Sequence, residues 1–379
     1  MFVLLISRGI PSDNDPQWGC FERDQALALH KAGHKVVVLS VDSRAKFHSS
    51  KFGISHKLIN GVDFYNLSCF PNVIFRPIAY RIMLFLISWQ LDYLYKRMQK
   101  THGTPDLIYS HYLLNSYAAL RLKKKYNLPL VAIEHWSEVN KDVLKSYVKY
   151  SGDKVYSIAD KVIAVSDSLK SMLNKHFHVD ALVVHNLVGE GFDYTPTSQR
   201  STFNFVTVGS LFHVKGYDIL IDAFAKIASV NNNFRLTIVG DGNQRPLLQQ
   251  LITKHNLQSK VSLVGRKSRA EVADILLNSD VYVSSSRNEN FSVSVLEALS
   301  IGLPVVATIC GGIRECINDS NGLLVPTENV DLLSDAMLKI SQNISNYNRE
   351  SIARDFENRF STTSIVNKLV SIFETIIKK

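Results

Sequence analysis

The stretch DVYVSSSRNENFSVSVLEALSIGLPVVAT, residues 280–308, reads as strand, loop, helix and strand in one run. VYVSSS (281–286) is apolar and β-rich, RNENF has no periodicity, and apolar residues recur at helical spacing from about Ser292 to Ser300. IGLP stops the helix and PVVAT (304–308) resumes a strand. Continuous apolar strands joined through helices mark a parallel sheet covered on both faces.

The same alternation runs through the chain. FVLLIS (2–7), KVVVLSV (35–41), DLIYS (106–110), LVAIE (130–134) and KVIAVS (161–166) are strand candidates of the first half. FNFVTVG (203–209), FRLTIVG (234–240), KVSLVG (260–265), DVYVSSS (280–286) and PVVAT (304–308) are those of the second. Between the sets, GEGFDYTPTSQRST (189–202) is rich in Gly, Ser and Thr and reads as a linker. The expected class is α/β, with two doubly wound Rossmann-like domains facing across a cleft. Residues 1–190 form the first and 201–355 the second. FENRFSTTSIVNKLVSIFETIIKK, about 356–379, reads as one amphipathic helix with a basic tail that packs back on the first.

At 379 residues, two domains are the expectation. Residues 1–190 hold 24 Lys and Arg against 16 Asp and Glu, whereas 191–379 hold 19 and 18. The basic half therefore suits an acidic partner such as anionic lipid, a lipid phosphate or nucleic acid. MFVLLISRGI has no basic lead before its apolar run and does not read as a secretory signal. The longest apolar run, IMLFLISW (82–89), is too short for a membrane span. Cys20, Cys69, Cys310 and Cys316 show no metal or paired spacing and read as free thiols of a reducing, cytoplasmic compartment.

Ligands of doubly wound sheets sit beyond the carboxyl ends of the strands, where helix N-termini point. Glu289 lies in such a loop and Glu297 lies between one and two turns into the following helix, which Asn290 or Ser292 could cap. Free amides between two carboxylates suit a ligand with phosphate in the middle and hydroxyls at both ends, as in a nucleotide diphosphate sugar. Lys215 in VTVGSLFHVKGYDILIDAFAKI (206–227) places an ammonium at another helix entrance. In a dry site such a charge on a leaving diphosphate is worth about 3–4 kcal/mol. Each of these residues alone would read as an ordinary surface charge. The loop is not a Walker A motif, and VGDG (239–242) is not a dinucleotide fingerprint. Asp13 and Asp15 of DND resemble a metal-binding D-x-D, but their polar loop lies away from this region, and no metal or cofactor is expected.

GSLFHVKG (209–216), ENFSVSVLEALSIGLPVVAT (289–308), GGIRECI (311–317) and NGLLVP (321–326) resemble the retaining glycosyltransferases of family 4, of bacterial surface-polysaccharide type. GCFERDQALALHKAGHKVVVLS (19–40), DLIYSHYLLNSYAAL (106–120), IEHWSEV (133–139), ADKVIAVSDSL (159–169) and VVHN (183–186) continue the resemblance in order over nearly the whole chain. It implies the two-domain GT-B architecture and a metal-independent hexosyltransferase. Glu289 would contact the donor sugar, Glu297 the ribose and Lys215 the diphosphate. The amides of Asn290, Phe291, Ser292 and Val293 onward to Val295 would hold sugar and phosphates, with Gly19 near the phosphate. His111, just after a strand, would lie beside the transferring carbon, with His135 and Trp136 toward the acceptor. Ser210 stands where many members carry Arg, so another cation or the helix amides would have to compensate. Asn290 and Ser292 likewise replace glycines.

The segment RPIAYRIMLFLISWQLDYLYKRMQK (76–100) reads as a helix apolar on most sides, flanked by Arg76, Arg81, Lys96, Arg97 and Lys100. It is either a packed domain helix or a peripheral contact with anionic membrane. The expected function is transfer of a sugar from a nucleotide diphosphate sugar to a glycan or lipid-linked acceptor at the membrane's inner face. A nucleotide-sugar epimerase of the same architecture, a nucleic-acid-binding α/β protein suggested by charge alone, and an inactive sugar binder are the alternatives. No stacking motif or recognition helix supports nucleic acid as a partner.

Overall fold

A computed structural model describes residues 1–11, 18–43, 52–69, 76–196 and 201–377. The chain divides into two compact units, Met1–Leu187 with Thr362–Lys379, and Val188–Ser361.

Unit 1 runs β1 (Phe2–Ser7), α1 (Cys20–Lys31), β2 (Lys35–Asp42), β3 (Gly53–Ile59), β4 (Val62–Ser68), α2 (Arg76–His102), β5 (Leu107–His111) and α3 (Leu113–Tyr126). It continues through β6 (Leu130–Glu134), α4 (Ser146–Ile158), β7 (Lys161–Ala164), α5 (Asp167–Phe177) and β8 (Leu182–Val183). The sheet order is β3-β4-β2-β1-β5-β6-β7-β8. Every pairing is parallel except β3 with β4. All six residues of β1 are buried, as a central strand covered on both faces requires.

Unit 2 runs β9 (Phe203–Val208), α6 (Tyr217–Val230), β10 (Phe234–Val239), α7 (Arg245–Lys254), β11 (Val261–Gly265), α8 (Arg269–Leu277) and β12 (Val281–Ser284). It goes on with α9 (Val293–Ser300), β13 (Val305–Thr308), β14 (Gly322–Val325), α10 (Val330–Gln342) and α11 (Arg349–Phe360). Its sheet, β11-β10-β9-β12-β13-β14, is parallel throughout. The helix α12 (Thr362–Ile377) then joins unit 1.

All ten strands expected from the sequence are present. The antiparallel β3–β4 hairpin was not expected. It turns through Asn60 and Gly61 at φ 46° and 83°, the left-handed pair of a type I′ turn. The single helix expected over 356–379 is two helices, because Ser361 takes an extended ψ of 148° between them. The helix expected over 76–100 runs to His102 and departs from helical geometry at Ala79. The loop holding Asp13 and Asp15, part of the linker (197–200) and the basic tail at 378–379 lie outside the described residues.

In each sheet the connections reverse direction at one place. In unit 2 this is between β9 and β12, and in unit 1 between β1 and β5. Loops leaving the carboxyl ends of such a pair diverge and open a crevice.

Candidate active site

The loop after β9 in unit 2 carries Ser210 and Lys215, and the loop after β12 carries Glu289 to Ser292. The reversal point therefore brings together residues 74 positions apart. Lys215 Nζ donates to Glu289 Oε1 at 2.5 Å. Ser286 Oγ donates to the same oxygen at 2.9 Å, and Ser285 Oγ to the Lys215 carbonyl at 2.9 Å. Gly216 is at φ 63°, and a Cβ there would lie 2.0 Å from the Ser285 carbonyl oxygen, so only glycine lets the two loops close.

Burial alone pulls the Lys215 ammonium down, but the Glu289 carboxylate outweighs it, and the net shift is upward. Lys215 is thus a held cation, with its side chain 24% exposed. Thr207, Tyr217, Tyr282, Ser284 and Ser294 line the same small polar pocket. The Tyr282 hydroxyl donates to Ser294 Oγ at 2.8 Å, a partner that sequence reasoning missed.

Ser292 occupies the N-cap position of α9, but its side chain makes no capping bond and pairs with Ser294 Oγ at 3.2 Å. Neither Asn290 nor Ser292 therefore caps the helix as expected: Asn290 precedes the N-cap position. The first amides of α9 have no intrahelical partners. Phe291 is buried, with its ring 6.0 Å from Phe360, so its side chain belongs to the core. Val293 opens the helix, and Glu297 sits half-buried in it. Ser210 is half-buried beside its loop. Arg287, a cation in the same loop as Glu289, does not stand in for the expected arginine. Its guanidinium binds both oxygens of Asp218 at 2.8 and 2.7 Å and Glu328 Oε1 at 2.5 Å.

In unit 1 the reversal point joins the end of β1 to the end of β5. His111 is the last residue of β5 rather than a loop residue, and it is fully buried. Burial first, then His135 and Arg8, holds its pKa well below the usual value. Its Nε2 has no hydrogen-bond partner among the described residues. His135 lies beside it, with Nε2 3.2 Å from His111 Nδ1. Trp136 follows, half-buried, its ring tilted on Tyr147 at 6.2 Å. Gly19 takes the left-handed N-cap position of α1.

Four unit 1 residues, Arg8, Glu22, Tyr112 and Glu134, were not found from sequence. Arg8 Nε donates to the fully buried Glu22 at 2.9 Å, and the guanidinium sits 3.8 Å from the Tyr112 ring centre. Tyr112 has φ 66° and ψ 142°, a conformation nearly reserved for glycine that costs about 1–3 kcal/mol. Only the position of Arg8, ending an apolar run, hinted at this cluster. Glu134 is also fully buried. Its Oε1 accepts the backbone N–H groups of His135 at 2.9 Å and Trp136 at 2.7 Å, and its Oε2 accepts the Tyr156 hydroxyl at 2.7 Å. Burial raises its pKa to about 7 despite these bonds.

Among the described residues, no group of three His, Cys, Asp or Glu side chains is placed to hold a metal.

Two family descriptions match the chain: "Glycosyltransferase Family 4" over residues 23–189 and "Glycosyl transferases group 1" over 197–354. The uncharacterized glycosyltransferase MJ1178 of Methanocaldococcus jannaschii is 31% identical over 80% of this chain and 82% of its own. The putative teichuronic acid biosynthesis glycosyltransferase TuaC of Bacillus subtilis is 26% identical over 89% of each. The crystal structure of Anabaena Alr3699/HepE in complex with UDP-glucose is 17% identical, with a TM-score of 0.74 over 99% of this chain and 100% of that one. Its likeness shows the GT-B fold. The sequence matches place both units in one enzyme family, and the chain belongs to the family 4 glycosyltransferases.

Proposed function

We propose that the chain moves a hexosyl group from a nucleotide diphosphate sugar to a glycan or lipid-linked hydroxyl, with retention at the anomeric carbon. The observation that carries this reading is the meeting of Lys215 and Glu289 beside the uncapped start of α9. In this reading Glu289 accepts sugar hydroxyls, Glu297 accepts ribose hydroxyls, and the α9 amides receive phosphate oxygens. The helix dipole favours that charge by roughly 0.3–1 kcal/mol. On arrival of the diphosphate, Lys215 exchanges Glu289 for the β-phosphate. The bond between anomeric carbon and phosphate oxygen breaks with its electron pair on the phosphate, where Lys215 and the amides neutralise it. The acceptor hydroxyl attacks from the leaving-group face and gives its proton to the departing phosphate. His111, His135 and Trp136 are assigned to the sugar and acceptor side.

UDP is the first base to test, since the structurally similar Anabaena protein holds UDP-glucose. A surface glycan is the acceptor class suggested by the TuaC likeness and by the basic first half. On α2, Ile82, Phe85, Trp89 and Tyr93 recur at spacings of three and four and are 46–60% exposed. Lys96, Arg97 and Lys100 follow, also exposed. That face fits an anionic lipid surface, which would bring the enzyme to a lipid-linked acceptor.

The test is release of nucleoside diphosphate from UDP-glucose, UDP-galactose and UDP-N-acetylglucosamine in the presence of a lipid-linked glycan fraction. Acceptor-dependent release, lowered roughly 10²–10³-fold in Lys215→Ala, is expected. Sugar isomerisation without acceptor would instead identify an epimerase.

A further inference from the structure

Lys215 ends a single 3-10 turn, His213–Lys215, that leads through Gly216 into α6. The three carbonyls of this turn are all held by the segment 285–287 after β12. The Arg287 guanidinium donates to the His213 carbonyl at 2.6 Å, and the Arg287 backbone N–H donates to the Val214 carbonyl at 2.8 Å. Ser285 Oγ holds the third, that of Lys215. The same guanidinium reaches past the turn to both oxygens of Asp218, in the first turn of α6. One side chain therefore grips the Lys215 segment both before and after the lysine. Its remaining partner is Glu328, which stands just before α10 at φ 57° and accepts from Nε at 2.5 Å and from Nη2 at 3.4 Å.

A guanidinium has five N–H groups, and here all five are taken. Nε goes to Glu328, Nη1 to His213 and Asp218, and Nη2 to Asp218 and Glu328. Two carboxylates outweigh the one positive charge, and the side chain is only 14% exposed. A phosphate would find neither a free donor nor a net positive charge on this residue. The planar fork also matters. The three donors of a lysine leave from one nitrogen and do not reach acceptors spread around a guanidinium.

What the grip controls is the start of the Lys215 side chain. With the turn held, only that side chain is free to swing, and its ammonium ends on Glu289 in the opposite loop. A catalytic group displaced by about 1 Å loses roughly 10²-fold in rate. We infer that Arg287 is a positioning residue that fixes the Lys215 turn against the Glu289 loop and so sets where the ammonium stands. That this place serves a departing diphosphate rests on the proposed sugar transfer; the grip itself does not.

The first measurement needs no substrate. In the full chain labelled with 15N at lysine, the Lys215 ammonium is assigned at pH 6 by its loss in Lys215→Ala, and its proton exchange with water is timed. Slow exchange is expected in the parent, because Glu289 holds the ammonium. Arg287→Gln should speed it at least about tenfold, since the turn is no longer held at both ends. Asp218→Asn, which alters one atom of the grip and leaves the fold intact, should speed it in the same direction. Rates unchanged in these variants would overturn the inference whether or not the enzyme transfers sugar. The second measurement is the affinity for UDP, GDP, ADP and dTDP by calorimetry in the parent, Arg287→Lys, Lys215→Ala and the double variant. Arg287→Lys should weaken the diphosphate that the parent binds by about 10- to 30-fold, yet by less than about threefold when Lys215 is already alanine. Equal losses in both backgrounds, or parental affinity in Arg287→Lys, would mean that Arg287 acts by its charge or through the fold and not through Lys215. A parent that binds none of the four counts against the proposed donor site, and the ammonium exchange still decides the grip.

Discussion

Lys215 and Glu289 could be singled out from sequence because each lies in a short loop after a strand. Their 2.5 Å contact could not, because it depends on which strands are neighbours. The Arg8, Glu22 and Tyr112 cluster was hidden for the same reason, and the strained φ of Tyr112 has no signature in residue identity. Glu134 yields a prediction at this scale. Below about pH 4.5 its carboxyl is protonated in both folded and unfolded chains. Between there and pH 7 the folded protein keeps a proton that the unfolded chain has released. Stability from this group therefore falls as pH rises, by about 3 kcal/mol in total. His135, lowered by burial to about 4, has the opposite slope and loses stability as pH falls below its unfolded value. Comparison with Glu134→Gln cancels that histidine contribution. The glutamine variant should gain on the parent between pH 5 and 8 in urea unfolding. A gap that stays constant with pH would mean that the buried carboxyl is not protonated near neutrality.

At the scale of elements, continuous β-branched runs located the parallel strands well. The β3–β4 hairpin was missed although Asn60-Gly61 announces it, because five of the seven β3 residues are polar, glycine or exposed and show no buried stripe. The break at Ser361 was missed because the apolar spacing continues across it. The α2 helix packs on one face and is exposed on another. Leu84, Leu91, Leu94, Tyr95 and Met98 are buried, while Ile82, Phe85, Trp89 and Tyr93 face outward. Replacing Phe85 and Trp89 together with serine should leave thermal stability near that of the parent, because neither side chain is in the core. The same variant should lose co-sedimentation with anionic vesicles while the parent retains it. Equal binding by both proteins, or no binding by either, would remove α2 as a membrane contact. No helix among the described residues is long and apolar enough to cross a membrane.

At the scale of the molecule, two Rossmann-like sheets and one family membership account for the order of motifs along the chain. Unit 1 is completed by α12, whose Phe373 is fully buried against Tyr109 at 5.0 Å between ring centres. Phe373→Ala should cost unit 1 about 3–5 kcal/mol. All three tryptophans, Trp18, Trp89 and Trp136, belong to unit 1, so their fluorescence in a urea titration reports that unit. A shifted fluorescence midpoint is expected, and an unchanged one would mean that α12 does not support the unit.

The central claim is that unit 2 holds a nucleoside diphosphate through Lys215 and the start of α9. The most direct measurement is a thermal-shift panel of UDP, GDP, ADP, dTDP and CMP, with and without EDTA, on the parent and Lys215→Ala. Ligand at 100 times its dissociation constant adds about 2.7 kcal/mol, enough to raise the midpoint by degrees. We predict a shift with one diphosphate that survives EDTA and shrinks in Lys215→Ala. No shift with any nucleotide, or a shift indifferent to Lys215, would contradict the account.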